Sequence, residues 1–251
     1  MKRRDMPRAR RHFLMGYAWH ITHRCHKKEF LLKFAKDRLS WMHWLFEAKK
    51  RYGFCVLNYV ATSNHIHLLV LDRGKDEVIS RSMQLTAGRT AQEFNQRKNR
   101  NGAFWEDRYH ATAVETGHHL FSCLTYIDLN MVRAGVVRHP CEWEFGGYAE
   151  MMTSRERGSI TDFDALMELL GVQSREAMQR MRRGWIEDAL AGGPHPRQSK
   201  WTESVAVGNK DFVENVKVKL GLRAKRRKVS GDKNDFILHE SREALEGECD
   251  I

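Results

Sequence analysis

The chain has 251 residues, of which 41% are hydrophobic and 10% aromatic, enough to build a sizeable core. Its 43 Lys and Arg outnumber its 32 Asp and Glu, so the formal net charge is +11. Such an excess favours a polyanion, above all nucleic acid, as the partner, and a solvated basic surface without a partner is the alternative. The sequence has no apolar run of about eighteen residues and no apolar N-terminal signal segment, which argues against a membrane protein and predicts a cytoplasmic one.

The hydrophobic pattern predicts an α+β domain. Six elements are expected in the order strand, helix, strand, strand, helix, strand, over residues 13–24, 37–52, 54–62, 65–72, 75–97 and 102–115. A further helix is expected from His118 to Arg133, ending near Gly135. This order is that of the ferredoxin-like split βαβ fold, an antiparallel sheet with helices on one face. The strand that carries His65 and His67 should be central or nearly so, and the last helix follows the last strand.

The composition changes after residue 148. We divide the chain into a basic arm without regular structure, a first domain, a mainly helical basic extension and an acidic tail, at residues 1–11, 12–150, 151–230 and 231–251. Within the extension, helices are predicted over 153–171, 174–190 and 201–221, with a linker at 192–200. The five scattered cysteines form no CxxC pair, so neither a zinc ribbon nor a disulfide scaffold is expected.

The stretch SNHIHLLV, residues 63–70, places two histidines at the start of an aliphatic strand. Residues two apart in a strand point to the same face, about 6–7 Å apart, so His65 and His67 should lie side by side. Two imidazoles in this arrangement could hold a metal ion or a phosphate. The alternative is a strand end whose histidines are simply hydrated.

The predicted helix over 118–133 carries a second pair of polar residues. Tyr126 and Asn130 are four residues apart and therefore neighbours on the helix surface, beside the apolar stripe. An amide oxygen can bind a hard cation, and a phenol beside that cation can act as a nucleophile if a charge or base lowers its pKa of about 10. His119, two turns earlier on the same face, is a weak candidate for that base. The alternative is a tyrosine packed at the core edge next to a solvated asparagine.

Four segments together resemble a known family. SNHIHLLV is similar to the HUH motif (His, bulky hydrophobic residue, His) of single-strand DNA transposases with one catalytic tyrosine. WHITHR at 19–24, GAFWEDRYHA at 102–111 and YIDLNMVRAGVV at 126–137 complete a resemblance to the REP-associated tyrosine transposases. The segment at 201–227 is similar to the extension of longer members. This chain departs from the family pattern at Thr62–Ser63, where Met-Pro is usual, and at Met131, where proline is favoured.

The resemblance implies a mechanism and a cofactor. His65 and His67 would be metal ligands, Asn130 the third ligand and Tyr126 the nucleophile, with Mg²⁺ or Mn²⁺ as the cation. The implied activity is cleavage and rejoining of single-stranded DNA at palindromic hairpin repeats through a 5′-phosphotyrosine. The alternative is a catalytically silent protein that binds hairpin DNA and regulates.

The resemblance also implies the partners and the setting. The protein would act on single-stranded or hairpin DNA, close to the bacterial nucleoid, as a monomer or a homodimer in which Tyr126 serves its own or a partner's histidines. Lys and Arg of the N-terminal arm and of RAKRRK at 223–228 would follow phosphates. The candidate DNA contacts nearest the motifs are Arg24, Arg81, Arg89, Trp105, Arg108 and Arg133.

Overall fold

The computed structural model describes residues 13–75, 77–153, 158–193 and 195–240. The predicted basic arm at 1–11 lies outside this range, as do residues 241–251 of the predicted acidic tail. The strands are β1 Ala18–Arg24, β2 Cys55–Ala61, β3 His65–Leu71, β4 His110–Val114, β5 Ser204–Gly208, β6 Val229–Asp232 and β7 Asp235–His239. The helices are α1 Ala35–Tyr52, α2 Val78–Arg97, α3 His118–Asp128, α4 Asn130–Arg133, α5 Gly147–Met152, α6 Phe163–Leu170, α7 Arg175–Ala191, α8 Lys200–Glu203 and α9 Lys210–Leu220. Within the described residues, no helix is long and apolar enough to cross a membrane.

The strands form one mixed sheet in the order β2-β3-β1-β4-β5-β7-β6. The first four strands pair antiparallel in the order expected of the split βαβ fold, which confirms the predicted fold class. β3 lies between β2 and β1, so the two histidines of the motif stand on an interior strand. The register pairs Thr22 of β1 with His67 and His20 with Leu69, which places all four on one face of the sheet.

The two faces of the sheet carry separate cores. Trp19, Ile21, Ile66 and Leu68 pack into the core on the side of α1 and α2. The neighbouring positions along the same strands face the opposite way, toward α3 and the helices of the C-terminal region. The prediction of helices on one face therefore describes α1 and α2, and the opposite face is covered as well. The motif histidines lie on this second face.

The C-terminal region differs from the prediction in its strands. Residues 201–221, predicted as one helix, contain the end of α8, then β5 (Ser204–Gly208) and then α9, whose N-terminus is capped by the Asn209 side chain. β5 pairs parallel with β4, so the sheet is not purely antiparallel. β6 and β7 extend the sheet further, although most of their residues belong to the acidic tail predicted from residue 231. The extension thus adds strands to the sheet of the first domain, and the division near residue 150 stays a prediction.

The helix predicted from His118 to Arg133 is interrupted at one residue. α3 ends at Asp128, Leu129 leaves the helical region with ψ near 5°, and α4 begins at Asn130. Backbone hydrogen bonds run from the Leu129 amide to Thr125 and from the Arg133 amide to Leu129, so the chain keeps its direction across the break. Asn130 consequently opens a new helical turn directly after the helix that carries Tyr126.

Candidate active site

A turn before β3 fixes the position of the first histidine. The Thr62 hydroxyl donates to the His65 carbonyl at 2.8 Å and accepts from the His65 amide at 3.1 Å and from the Asn64 amide at 3.3 Å. One hydroxyl thus closes the turn that leads into the strand. Thr62 and Ser63 stand where the transposases that the sequence resembles usually have Met-Pro, and in this chain the Thr62 side chain closes the turn.

His65 presents one ring nitrogen for binding. Its Nδ1 lies 2.7 Å from the Asn64 side-chain oxygen, which can only accept, so Nδ1 carries the proton and Nε2 keeps a free lone pair. Burial, assisted by the nearby charges of Arg24 and Arg133, lowers the pKa of His65 to about 4. At neutral pH the ring is therefore uncharged and able to bind a cation.

His67 lies beside His65, with 4.9 Å between the ring centroids. Its Nε2 is 3.0 Å from the Asn130 side-chain nitrogen, and its Nδ1 is 2.9 Å from Nε2 of His20. Burial, followed by the neighbouring His65 and His20, lowers the pKa of His67 well below its usual value. The pair predicted from the HxH spacing is thus two neutral imidazoles side by side, as the strand geometry requires.

Tyr126 faces the two histidines from α3. Its ring centroid lies 5.8 Å from that of His67, so the tyrosine and the histidines of one chain stand on the same side of the sheet. Burial raises the pKa of Tyr126, and the charges of Arg133 and Arg197 act in the opposite direction. The Arg133 guanidinium carbon lies 4.2 Å from the centre of the Tyr126 ring, and its Nη2 donates to the Tyr126 carbonyl at 3.1 Å.

These side chains open into one cavity of about 630 Å³. His65, His67, Tyr126 and Asn130 all line it, so the four predicted site residues are brought together. Cationic side chains outnumber carboxylates on its walls; these are Arg24, Lys28, Arg108, Arg133 and Arg197 against Glu106 and Asp107. A cavity with this excess of positive charge suits a phosphodiester chain.

A protein-family model matches the part of the chain that contains these four residues. Residues 14–130 match the family model described as IS200-like transposase. This stretch of the chain is therefore similar to an IS200-like transposase domain. The matched stretch runs from the residues before β1 to Asn130 and so contains all four predicted site residues. The sequence-based recognition of a transposase is confirmed.

Solved structures similar to this chain include a REP-associated tyrosine transposase bound to a REP hairpin. That chain is 21% identical with a TM-score of 0.47, and the match covers 64% of this chain and 96% of that one. A transposase structure from Deinococcus radiodurans R1 is 13% identical with a TM-score of 0.34, covering 47% of this chain and 92% of that one. At these TM-scores the likenesses do not bear on function. No curated protein matches the chain significantly.

Three of the six predicted DNA contacts lie away from this cavity. Arg81 and Arg89 belong to α2, on the opposite face of the sheet, where their guanidinium groups lie over Tyr52 at 5.2 Å and Trp44 at 4.5 Å. Trp105 donates its indole N–H to the Ala87 carbonyl at 3.0 Å and stacks on His23. Arg24, Arg108 and Arg133 do line the cavity. A DNA contact at any of the six stays a prediction.

The candidate site also contains residues that the sequence analysis did not select. His20 is fully buried behind His67, and Arg197 and Thr202 reach the cavity from the C-terminal region. The alternation in WHITHR could have indicated His20, because it shares a strand face with Thr22. Nothing in the local pattern around Arg197 points to the site. His119, the weak candidate base, does not line the cavity; its Nδ1 contacts a Glu115 carboxylate oxygen at 2.9 Å.

The donor set is compatible with a divalent cation. Among the described residues, no group of three His, Cys, Asp or Glu side chains has the arrangement of a metal site. The candidate donors are Nε2 of His65, Nε2 of His67 and the Asn130 amide, whose nitrogen lies 3.0 Å from Nε2 of His67. Rotating that amide by 180° exchanges its nitrogen for its oxygen, which places an oxygen donor next to the free lone pair of His67. Two imidazoles and one oxygen, completed by water or phosphate, fit Mn²⁺ well and Mg²⁺ acceptably.

Proposed function

We propose that this protein is a single-stranded DNA transesterase of the REP-associated type, which cleaves and rejoins DNA at palindromic hairpin repeats. The observation that supports it best is that one cationic cavity is shared by Tyr126 and two histidines whose lowered pKa keeps them neutral. The hairpin substrate rests on the sequence motifs, which resemble those of REP-associated transposases.

Tyr126 is the proposed nucleophile. Its Oη attacks the phosphorus of one phosphodiester, an Oη–P bond forms, and the bond from phosphorus to the 3′-oxygen breaks. The phenol gives up its proton and the departing oxygen gains one, which leaves a free 3′-hydroxyl and a 5′-phosphotyrosine. Since burial raises the pKa of Tyr126, the phenolate needs positive charge near it, and Arg133 at 4.2 Å from the ring supplies that charge.

The remaining residues of the cavity have positioning and charge roles in the proposed reaction. His65, His67 and Asn130 would hold the divalent cation, which when bound polarises the phosphate and offsets its developing charge. Arg24, Arg108 and Arg197 line the path beside them and would bind the flanking phosphates. Because the phosphotyrosyl ester keeps the energy of the broken bond, attack by a 3′-hydroxyl on it would rejoin DNA without an external energy source.

A strand-specific labelling experiment tests this proposal. The protein is incubated with Mg²⁺ or Mn²⁺ and a hairpin repeat from its own genome that carries a single-stranded flank, labelled at either the 5′ or the 3′ end. Cleavage by Tyr126 should transfer only the 3′ label to the protein, as a band that survives denaturing electrophoresis. Binding without any adduct would support the alternative, a catalytically silent regulator of hairpin DNA.

Replacing Asn130 tests the proposed cation site. Asn130→Ala should fold normally, lose cleavage in Mg²⁺ and regain part of it in Mn²⁺, which accepts nitrogen ligands more readily. Substituting a residue that only hydrogen-bonds a metal ligand typically lowers metal affinity or activity about 10–100-fold. Losing the ligand itself should therefore reduce the cleavage rate in Mg²⁺ at least ~10-fold. Single-turnover cleavage over a range of metal concentrations measures this, with the exposed Asn101→Ala as control. Near-wild-type cleavage at low Mg²⁺ would remove Asn130 from the metal.

The basic cluster after α9 should contribute to DNA affinity through phosphate contacts. Lys225, Arg226 and Lys228 are exposed, whereas Arg227 is partly buried and pairs with Glu240. On a single strand each neutralised phosphate contributes roughly −0.7 to the slope of log K against log salt, so replacing the three exposed residues by Gln should flatten that slope by up to about 2. Fluorescence anisotropy at several salt concentrations measures the slope.

The matched control for the basic cluster removes three exposed charges from α1, at Lys36, Lys50 and Arg51. These substitutions lower the net charge equally, so they separate a local contact from a general loss of positive charge. An identical slope for the cluster variant and the wild-type protein would make the cluster a solvated surface.

A further inference from the structure

A buried hydrogen-bonded chain runs behind the second motif histidine. The Trp201 carbonyl of α8 lies 2.8 Å from Nδ1 of His20, and Nε2 of His20 lies 2.9 Å from Nδ1 of His67. Trp201 and His20 are completely buried, and His67 is only 2% exposed. The chain joins residues 181 positions apart in sequence, because His20 stands on β1 and Trp201 in the C-terminal region.

The carbonyl at the end of this chain fixes the direction of every hydrogen bond in it. A carbonyl oxygen can only accept, so Nδ1 of His20 must carry a proton and donate it to Trp201. The Thr112 hydroxyl lies 3.2 Å from the same oxygen but donates its proton to the nearer Ser204 carbonyl at 2.6 Å, so His20 is the closer donor to Trp201. Because the His20 ring is fully buried and stays neutral, its Nε2 has no proton and is an acceptor.

The acceptor on His20 determines the tautomer of His67. Nδ1 of His67 faces that acceptor at 2.9 Å and must be the protonated nitrogen. Nε2 of His67 is then left with its lone pair, directed toward Asn130 and the cavity. A free neutral imidazole prefers the opposite tautomer, with the proton on Nε2, in which the nitrogen facing the cavity could not bind a cation. The contact with His20 therefore selects the binding form.

We propose that His20 is a positioning residue that holds His67 in the Nδ1–H tautomer, with the Trp201 carbonyl as the anchor, and so keeps Nε2 free for the divalent cation. This inference rests on the proposed function, since it assigns the cation to the same site. Partners of this kind behind a metal-binding histidine fix both the tautomer and the ring orientation.

His65 has an equivalent arrangement from a different source. Its Nδ1 donates to the side-chain oxygen of Asn64, the preceding residue in the motif. The tautomer of His65 is therefore fixed by its neighbour in sequence. His67 has no such neighbour in sequence and takes its acceptor from β1 and, through it, from α8. The C-terminal region thus takes part in preparing the cation site, although it lies beyond the part of the chain matched by the family model.

Two substitutions of His20 test its hydrogen bonds to Trp201 and to His67 separately. The side-chain nitrogen of asparagine occupies nearly the position of Nδ1, so His20→Asn keeps the bond to Trp201 and removes the acceptor for His67. The longer side chain of glutamine places its oxygen near the position of Nε2, so His20→Gln keeps that acceptor and removes the bond to Trp201. His119→Gln, a buried histidine outside the cavity, is the control.

Nitrogen-15 NMR of the histidine side chains in the full-length protein, without metal or DNA, reads the tautomers directly. In the wild-type protein, the control and His20→Gln, His67 should carry its proton on Nδ1. In His20→Asn a substantial fraction should move to Nε2. Paramagnetic broadening of the His65 and His67 signals during Mn²⁺ titration should then show binding weakened by roughly 10- to 100-fold in His20→Asn alone.

Three results would overturn the inference. They are an Nε2-protonated His67 in the wild-type protein, equal behaviour of the Asn and Gln variants, and a changed tautomer with unchanged Mn²⁺ affinity. The tautomer of His67 in the wild-type protein can refute the inference even if a variant fails to fold. Wild-type protein with the expected tautomers but no phosphotyrosine would refute the proposed function and leave the role of His20 intact, whereas a cleaving enzyme with Nε2-protonated His67 would refute the role of His20 alone.

Discussion

Tyr126→Phe should reduce strand cleavage below detection, a fall of at least ~10³-fold, while hairpin binding stays within a factor of about two. The substitution removes a single oxygen atom, and the ring is 5% exposed. The phenylalanine ring can keep the contacts with Arg133 at 4.2 Å and with Trp201 at 6.2 Å, so the cavity keeps its shape and charge. Cleavage is measured by transfer of the 3′ label to protein, and binding by anisotropy with the same hairpin.

The matched control is Tyr148→Phe. Tyr148 is buried outside the cavity, and its hydroxyl has no hydrogen-bond partner among the described residues, so loss of that oxygen should leave both cleavage and stability nearly unchanged. A covalent adduct that persists in Tyr126→Phe at the wild-type level would assign the nucleophile to another side chain.

The core of the site could be predicted because local periodicity determines it. His65 and His67 are two residues apart on a strand and therefore lie on the same face. Tyr126 and Asn130 are four residues apart along the helical segment and are therefore neighbours on its surface. What periodicity alone could not settle is whether the strand and the helix face each other. The structure brings all four side chains to the same cavity, as the resemblance to the transposase family implied.

The parts that sequence reasoning missed depend on contacts between distant residues. Ser204–Gly208 contains only three aliphatic residues in a row, Val205 to Val207, which is too short a run to distinguish a buried strand from a helical turn. It is a strand because β4 offers a free edge for parallel pairing, a property of the folded sheet rather than of the local sequence. Arg197 and the Trp201 carbonyl reach the site from the residues that directly precede this strand.

A buried ion pair links the C-terminal region to α3. Arg182 of α7 forms an ion pair with Asp128 of α3, two residues after Tyr126. Both side chains are at least 98% buried, and the other carboxylate oxygen accepts from the Asn58 side chain at 2.8 Å. Burial raises the pKa of Asp128, and Arg182 acts against that rise by stabilising the charged form.

Arg182→Met should therefore reduce the free energy of unfolding by about 3–5 kcal/mol, because it leaves a buried carboxylate with only a neutral amide beside it. The double variant Arg182→Met/Asp128→Asn should recover most of that loss, since neither partner then carries a charge. Urea denaturation at neutral pH measures both. Lys50→Met, which breaks the exposed pair with Glu47, should leave the free energy of unfolding nearly unchanged and serves as control.

The pH dependence of the Arg182→Met variant gives an independent check of the same contact. Without Arg182 the folded-state pKa of Asp128 should rise further above its unfolded value, so the variant gains stability from protonation as the pH falls through that raised pKa. The difference in free energy of unfolding between wild type and variant should therefore be largest at neutral pH and shrink toward about pH 4, near the unfolded pKa. A cost that stays constant over this range would mean that lost packing of the arginine side chain, and not the buried charge of Asp128, accounts for the destabilisation.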